Sequence, residues 1–75
     1  MANKKYAALL LSGVENWNEW KKKHSREKPD LRDADLRNKD LSYANLRRVD
    51  LSGANLHGAN LHESDISKAK LWGQT

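Results

Sequence analysis

The sequence predicts a β-solenoid, and three regularities between Pro29 and Gly73 carry that prediction. Read in fives, this stretch is PDLRD ADLRN KDLSY ANLRR VDLSG ANLHG ANLHE SDISK AKLWG. The third place is always a branched aliphatic: Leu31, Leu36, Leu41, Leu46, Leu51, Leu56, Leu61, Ile66 and Leu71. The first place is mostly Ala, and the second is Asp or Asn in every unit but the last. A period of five suits neither regular element. On an α-helix it advances about 500°, which scatters successive leucines around the cylinder. On a strand an odd spacing flips each leucine to the opposite face. A strictly kept five therefore means that the backbone turns once per unit and returns each leucine to one interior, as in stacked repeat folds.

The pattern Ala-(Asp/Asn)-Leu-X-X resembles that of the pentapeptide-repeat proteins across residues 29–73. The resemblance implies a right-handed, quadrilateral parallel β-helix in which each pentapeptide forms one side. Nine units then make about two coils, which is short for the family. It also implies that the third-place aliphatics and the first-place residues face inward while the other places face solvent. With four units to a coil, residues twenty apart stack, giving inward columns Leu31/Leu51/Leu71, Leu36/Leu56, Leu41/Leu61 and Leu46/Ile66.

Two places break the pattern. Lys39 occupies a first place and must reach outward or meet a carboxylate such as Asp33 or Asp35, because a buried unpaired ammonium is too costly. Lys70 replaces Asp or Asn in the last unit and is followed by Trp72. The second-place Asp and Asn residues are expected to bond nearby backbone at the corners. Gly53, Gly58 and Gly73 end their units where positive φ is called for.

Residues 1–28 read as a helical cap, forming one compact domain with the solenoid of 29–75. Lys5 to Leu11 holds good helix formers. Ser12 with Glu15 reads as a capping box opening a second helix that runs to about Lys23. Val14, Trp17 and Trp20 form its apolar face, with Asn16, Asn18, Glu19 and Lys22 on the wet side. Pro29 keeps Lys28 out of helical geometry and ends it. A solenoid needs such a lid, because its terminal layer exposes apolar side chains and unpaired edges. The resemblance implies the same, since many members of the family begin with a capping helix. The chain ends at Thr75 with no second helix, so an end-to-end homodimer is expected through Ile66, Leu71 and Trp72.

Charge separates the two parts. The chain carries 14 basic and 10 acidic residues. The excess lies in the cap, while residues 30–75 hold equal numbers of each sign. Lys21, Lys22, Lys23 and Arg26, together with Arg48 and Lys68 on one solenoid corner, are the candidate anion contacts. Glu19 and Glu27 dilute the patch, and nucleic acid is not the expected partner. The family's best-known activity, mimicry of duplex DNA toward bacterial gyrase, calls for a long negative rod and is not carried over to a short, neutral one.

No catalytic constellation, phosphate loop or zinc spacing is visible, and no cofactor is expected. His57 and His62 lie five apart, on adjacent sides facing outward, and so diverge as metal ligands. The absence of cysteine fits a reducing cytoplasm. No apolar run approaches the roughly 20 residues of a membrane span. Lys4-Lys5 before Tyr6–Leu11 is too short an apolar run, with no cleavage site, to be a secretory signal. A non-catalytic scaffold or protein-interaction module, with its partner unnamed, is the first reading, and a binder of nucleic acid or an anionic surface through the basic cap is the alternative.

Overall fold

A computed structural model describes residues 4–73. Two short helices, α1 (Lys4–Leu11) and α2 (Val14–Lys23), precede the repeats. The repeats stack in parallel with a register of twenty residues, through bridges Asp30↔Asp50, Asp35↔Asn55, Asp40↔Asn60, Asn45↔Asp65 and Asp50↔Lys70. Four pentapeptides therefore complete one circuit. The parallel β-helix expectation needs one correction. Among the described residues the β-character consists of single bridges at the second place, with no extended strands. The reason is local, because each unit spends most of its five residues on a turn.

That turn recurs in the first eight units, and the ninth shares its positive φ. The fifth residue has φ between 58° and 73°, whether it is Asp33, Asn38, Tyr43, Arg48, Glu63 or Lys68, or one of Gly53, Gly58 and Gly73. Positive φ at the third position of a four-residue turn is the type II signature. The turn closes when the first-place N–H of the next unit donates to the carbonyl of the third-place aliphatic. Ala34 to Leu31 (3.2 Å) and Ala59 to Leu56 (2.9 Å) are examples. Asp or Asn then buttresses it. Each second-place side chain, from Asp30 through Asp65, accepts the N–H two residues on, at 3.0–3.2 Å. Positive φ is thus required of all nine fifth-place residues, beyond the three glycines that the sequence marks.

Stacked units are joined by three backbone bonds of fixed polarity. In the first pair, Leu31 N–H and Asp33 N–H donate to the carbonyls of Asp50 and Ser52, and Asp50 N–H donates back to Pro29. Each later pair repeats this pattern. The upper edge of a layer therefore offers two carbonyls and one N–H per unit, and the lower edge two N–H groups and one carbonyl.

The core runs down the axis and thins toward the C-terminus. Leu31, Leu36, Leu41, Leu46 and Leu51 are buried with Ala34, Ala44, Val49 and Ala54. Leu56 and Leu61 are half-buried against them. Ile66 and Leu71, assigned to the core by the repeat, are 41% and 44% exposed, because no layer lies beneath them among the described residues. Lys39 is exposed, so its charge reaches water from a first place.

Helix α2 closes the upper end. Trp17 is fully buried, and Val14 and Trp20 pack against the core half-buried. Three of its polar groups meet the upper edge of the fourth unit. Trp17 Nε1–H donates to Asn45 O (2.6 Å), Lys21 Nζ donates to Arg47 O (2.8 Å), and Asn18 Oδ1 accepts from Asn45 N–H (2.7 Å). These are the two donors and one acceptor that a further layer would supply. Asn18 Nδ2 also reaches Tyr43 O (3.0 Å). Asn18, placed on the wet side by its helical position, is therefore a cap residue. A flank of the helix meets a polar edge here, where an apolar face alone was expected.

Two further expectations change. Ser12 does not cap α2, whose N-cap is Gly13 with no side-chain bond. The Ser12 hydroxyl lies one residue beyond α1 and donates to Leu9 O (2.6 Å), satisfying a carbonyl at that helix's C-terminus. The linker is held by Tyr6, whose hydroxyl donates to Glu27 (2.9 Å), and by His24, stacked on Trp20 and 2.6 Å from the Glu27 carboxylate.

Two measurements test this architecture. Trp17→Phe orphans Asn45 O and leaves a small cavity in place of the lost ring, and should cost about 2–4 kcal/mol in chemical denaturation. Lys22→Ala, on the exposed side of the same helix, should cost almost nothing. Gly53→Ala should cost about 1–2 kcal/mol through positive φ alone, and its new Cβ would also strike the Asp33 carboxylate above. A melting temperature unchanged by Gly53→Ala would contradict the turn.

Candidate interaction surfaces

Two surfaces stand out once the structural bonds are accounted for. The first is a groove of about 320 Å³ along one corner of the solenoid, lined by Lys28, Asp30, Arg32, Arg48, Asp50, Lys68 and Lys70. The twenty-residue register builds it. Arg48 and Lys68 stand one above the other, twenty apart, beside the column Asp30, Asp50 and Lys70, and Lys28 joins them from the segment entering the first unit. Arg48 and Lys68 also hold the fifth place, where positive φ turns their units.

The carboxylates of this corner are committed. Asp30 receives Arg32 through Nε (3.0 Å) and Nη2 (2.9 Å), as well as the Arg32 N–H. The Arg32 side chain and backbone hold its carboxyl well down, at about 2. Asp50 is lowered by the Ser52 hydroxyl and N–H, with smaller help from Lys70 and Arg32. No carboxylate forms an ion pair with Lys28, Arg48 or Lys68 among the described residues.

The sequence-predicted anion contacts divide accordingly. Arg48 and Lys68 meet in this groove, joined by Lys28, Arg32 and Lys70, which composition alone did not gather. Lys21 is withdrawn. It is 1% exposed and its amine is spent on Arg47 O. Burial, seconded by the charges of Arg47 and Arg48, pushes its pKa down. Lys22 pairs with Glu19 (3.4 Å), and Lys23 and Arg26 are exposed away from any pocket described. The same pairing logic recurs along the wall, where Arg37 grips Asp35 (2.9 Å) and Arg47 approaches Asp65 (3.6 Å).

The second surface is the lower end. Ile66, Leu71 and Trp72 are exposed there, Trp72 at 77%. Among the described residues the N–H groups of Leu61, Ile66 and Leu71 and the carbonyls of Ala59, Ser64 and Ala69 have no backbone partner. His57 and His62 are exposed in neighbouring units, and His62 meets the Tyr43 ring edge-on at 5.9 Å. No group of three or more His, Cys, Asp or Glu gathers among the described residues. No helix among them is long and apolar enough to cross a membrane.

A stacked, turn-per-unit solenoid whose wall polar groups mostly serve their own backbone is a repeat scaffold in class. The comparison with known families agrees. The pentapeptide-repeat family matches residues 34–73 in eight copies, and the chain belongs to that family. No curated protein and no solved structure matches it.

The carboxylates give a pH signature. Asp30 and Asp35 titrate at about 2 in the folded chain against an ordinary 3.8. A carboxylate whose folded pKa is depressed stabilises the fold above its unfolded pKa and loses that contribution as pH falls through the folded value. Melting temperature should therefore hold down to about pH 4 and fall between about 4 and 2. Asp35→Asn keeps the turn acceptor and removes the titration, so its melting curve should fall less steeply over that window.

Proposed function

We propose that the chain is a non-enzymatic scaffold and protein-interaction module, a right-handed, four-sided β-helix of about two coils. We assign it to the cytoplasm, which its lack of cysteine fits. Its open lower end pairs with a second copy. The observation that carries this reading is the asymmetry of the two ends. Side chains of α2 meet the upper edge of the fourth unit, while the lower end carries Ile66, Leu71 and Trp72 together with backbone groups that have no backbone partner among the described residues.

Edge polarity supports a two-fold arrangement. Each lower-layer unit offers its first-place carbonyl and third-place N–H on either side of the second place, such as Ala59 O and Leu61 N–H around Asn60. An antiparallel copy placed second residue against second residue exchanges both bonds, as in the widely spaced pairs of an antiparallel ladder. The apolar contribution comes from Trp72 and Leu71, residue types of the kind that fill interface centres. Mimicry of duplex DNA does not fit the charge, since the chain carries a net +4.

Light scattering coupled to size exclusion across a concentration series is the test. A dimer that Trp72→Glu converts to monomer supports the reading. A monomer at every concentration, or a dimer indifferent to Trp72→Glu and Ile66→Glu, removes it.

A further inference from the structure

We infer that the corner groove between Lys28 and Lys70 binds a small phosphate-bearing anion, either free phosphate or a phosphomonoester. Its charge is the first ground. Five cations line it against Asp30 and Asp50, and Asp30 is already neutralised by the two-pronged contact with Arg32. That leaves Lys28, Arg48, Lys68 and Lys70 facing the single carboxylate of Asp50. The backbones carrying Arg48 and Lys68 stack at the spacing of a β-ladder, about 4.8 Å, which gathers like charges on one corner and makes it attractive to an anion.

The second ground is independent and lies in the repeat. Eight second places hold Asp or Asn, and each accepts the N–H that buttresses its turn. Only Lys70 departs. The substitution gives up a turn bond and places an ammonium directly beneath Asp50, on the groove wall. A position that sacrifices a structural bond to add positive charge to a cationic groove is explained by something bound there.

Size and chemistry select the ligand. A volume of about 320 Å³ lies at the small end of ligand sites, which suits a single phosphoryl compound better than a polymer. Arg48 contributes a planar fork matched to two phosphate oxygens, and the three lysines act as point charges around it. Of these groups only Lys70 sits within the lower edge used for pairing, between Ala69 and Leu71, so Arg48→Asn tests the groove without touching that surface and the two proposals can fail separately.

The test is an amide NMR titration of the full chain with sodium phosphate and with glycerol phosphate, at ionic strength matched by sodium chloride. Saturable shifts confined to residues 28–32, 48–50 and 68–70 are expected with both ligands. Arg48→Asn and Lys68→Asn tolerate positive φ and so keep the turn. Each should weaken binding about tenfold, the scale of one lost charge-assisted bond. Lys70→Asn is the decisive variant, because it restores the turn bond to Trp72 N–H. It should raise the melting temperature while weakening phosphate severalfold. Shifts that fail to saturate, or that chloride reproduces, overturn the inference, as does Lys70→Asn binding unchanged. Tighter binding of duplex DNA than of phosphate, with shifts spread over Lys22, Lys23 and Arg26, would also overturn it and assign the charge to nucleic acid.

Discussion

Everything in this molecule depends on a turn that must be made once every five residues. Two bonds close it: a backbone bond from the next unit's first-place N–H to the carbonyl of the inward aliphatic, and a side-chain bond from Asp or Asn to the N–H two residues on. Together they hold the fifth residue at positive φ, even where that residue is Tyr43 or Arg48. A left-handed conformation costs a side chain with a Cβ about 1–2 kcal/mol, so it persists across six non-glycine residues only because the turn bonds and the stacking bonds overdetermine it. The residue types at the second place follow from this, since only a short side chain with an acceptor at the right reach serves.

A repeated turn makes a stack, and a stack has ends of opposite polarity. The upper edge is rich in carbonyls and the lower edge in N–H groups. The cap answers the upper edge in kind, with an indole N–H, an ammonium and an amide oxygen taking the places of a missing layer's ladder groups. Burying Lys21 is tolerable for that reason: its amine has a carbonyl waiting. Had α2 offered apolar contacts alone, the buried edge of the fourth unit would have been left unsatisfied, the costliest outcome for backbone polar groups.

The same stacking turns a one-dimensional sequence into vertical columns, and surface chemistry follows from them. Lys28, Arg48 and Lys68 are distant in the chain and contiguous on the wall. Charges that balance across residues 30–75 as a whole are sorted by column, with Asp30 and Asp35 tied to the arginines two residues on and the corner left cationic. A neutral sum therefore conceals a polarised surface.

The inward leucines, the turn per unit, the role of Asp and Asn, the two helices and the apolar face of Trp17 and Trp20 were all legible in the sequence. Each is set by residues within five positions of one another, or by a period that repeats without exception. The fate of Lys21, Asn18 and Ser12 was not legible. Helical position places Asn18 beside solvent and Lys21, four residues after Trp17, on the apolar flank with no partner in the helix, and only the docking of α2 on the fourth unit brings backbone groups within reach of both. Ser12 precedes one helix and follows another, and only their boundaries decide which end its hydroxyl serves. The exposure of Ile66 and Leu71 was hidden for a related reason, since identical repeats bury their side chains only when a neighbour lies on each side. Local bonding was determined by the sequence itself, because its partners are at fixed short range. What lies across an edge was decided by tertiary structure, because burial and hydrogen bonding there depend on which element happens to be stacked on the other side.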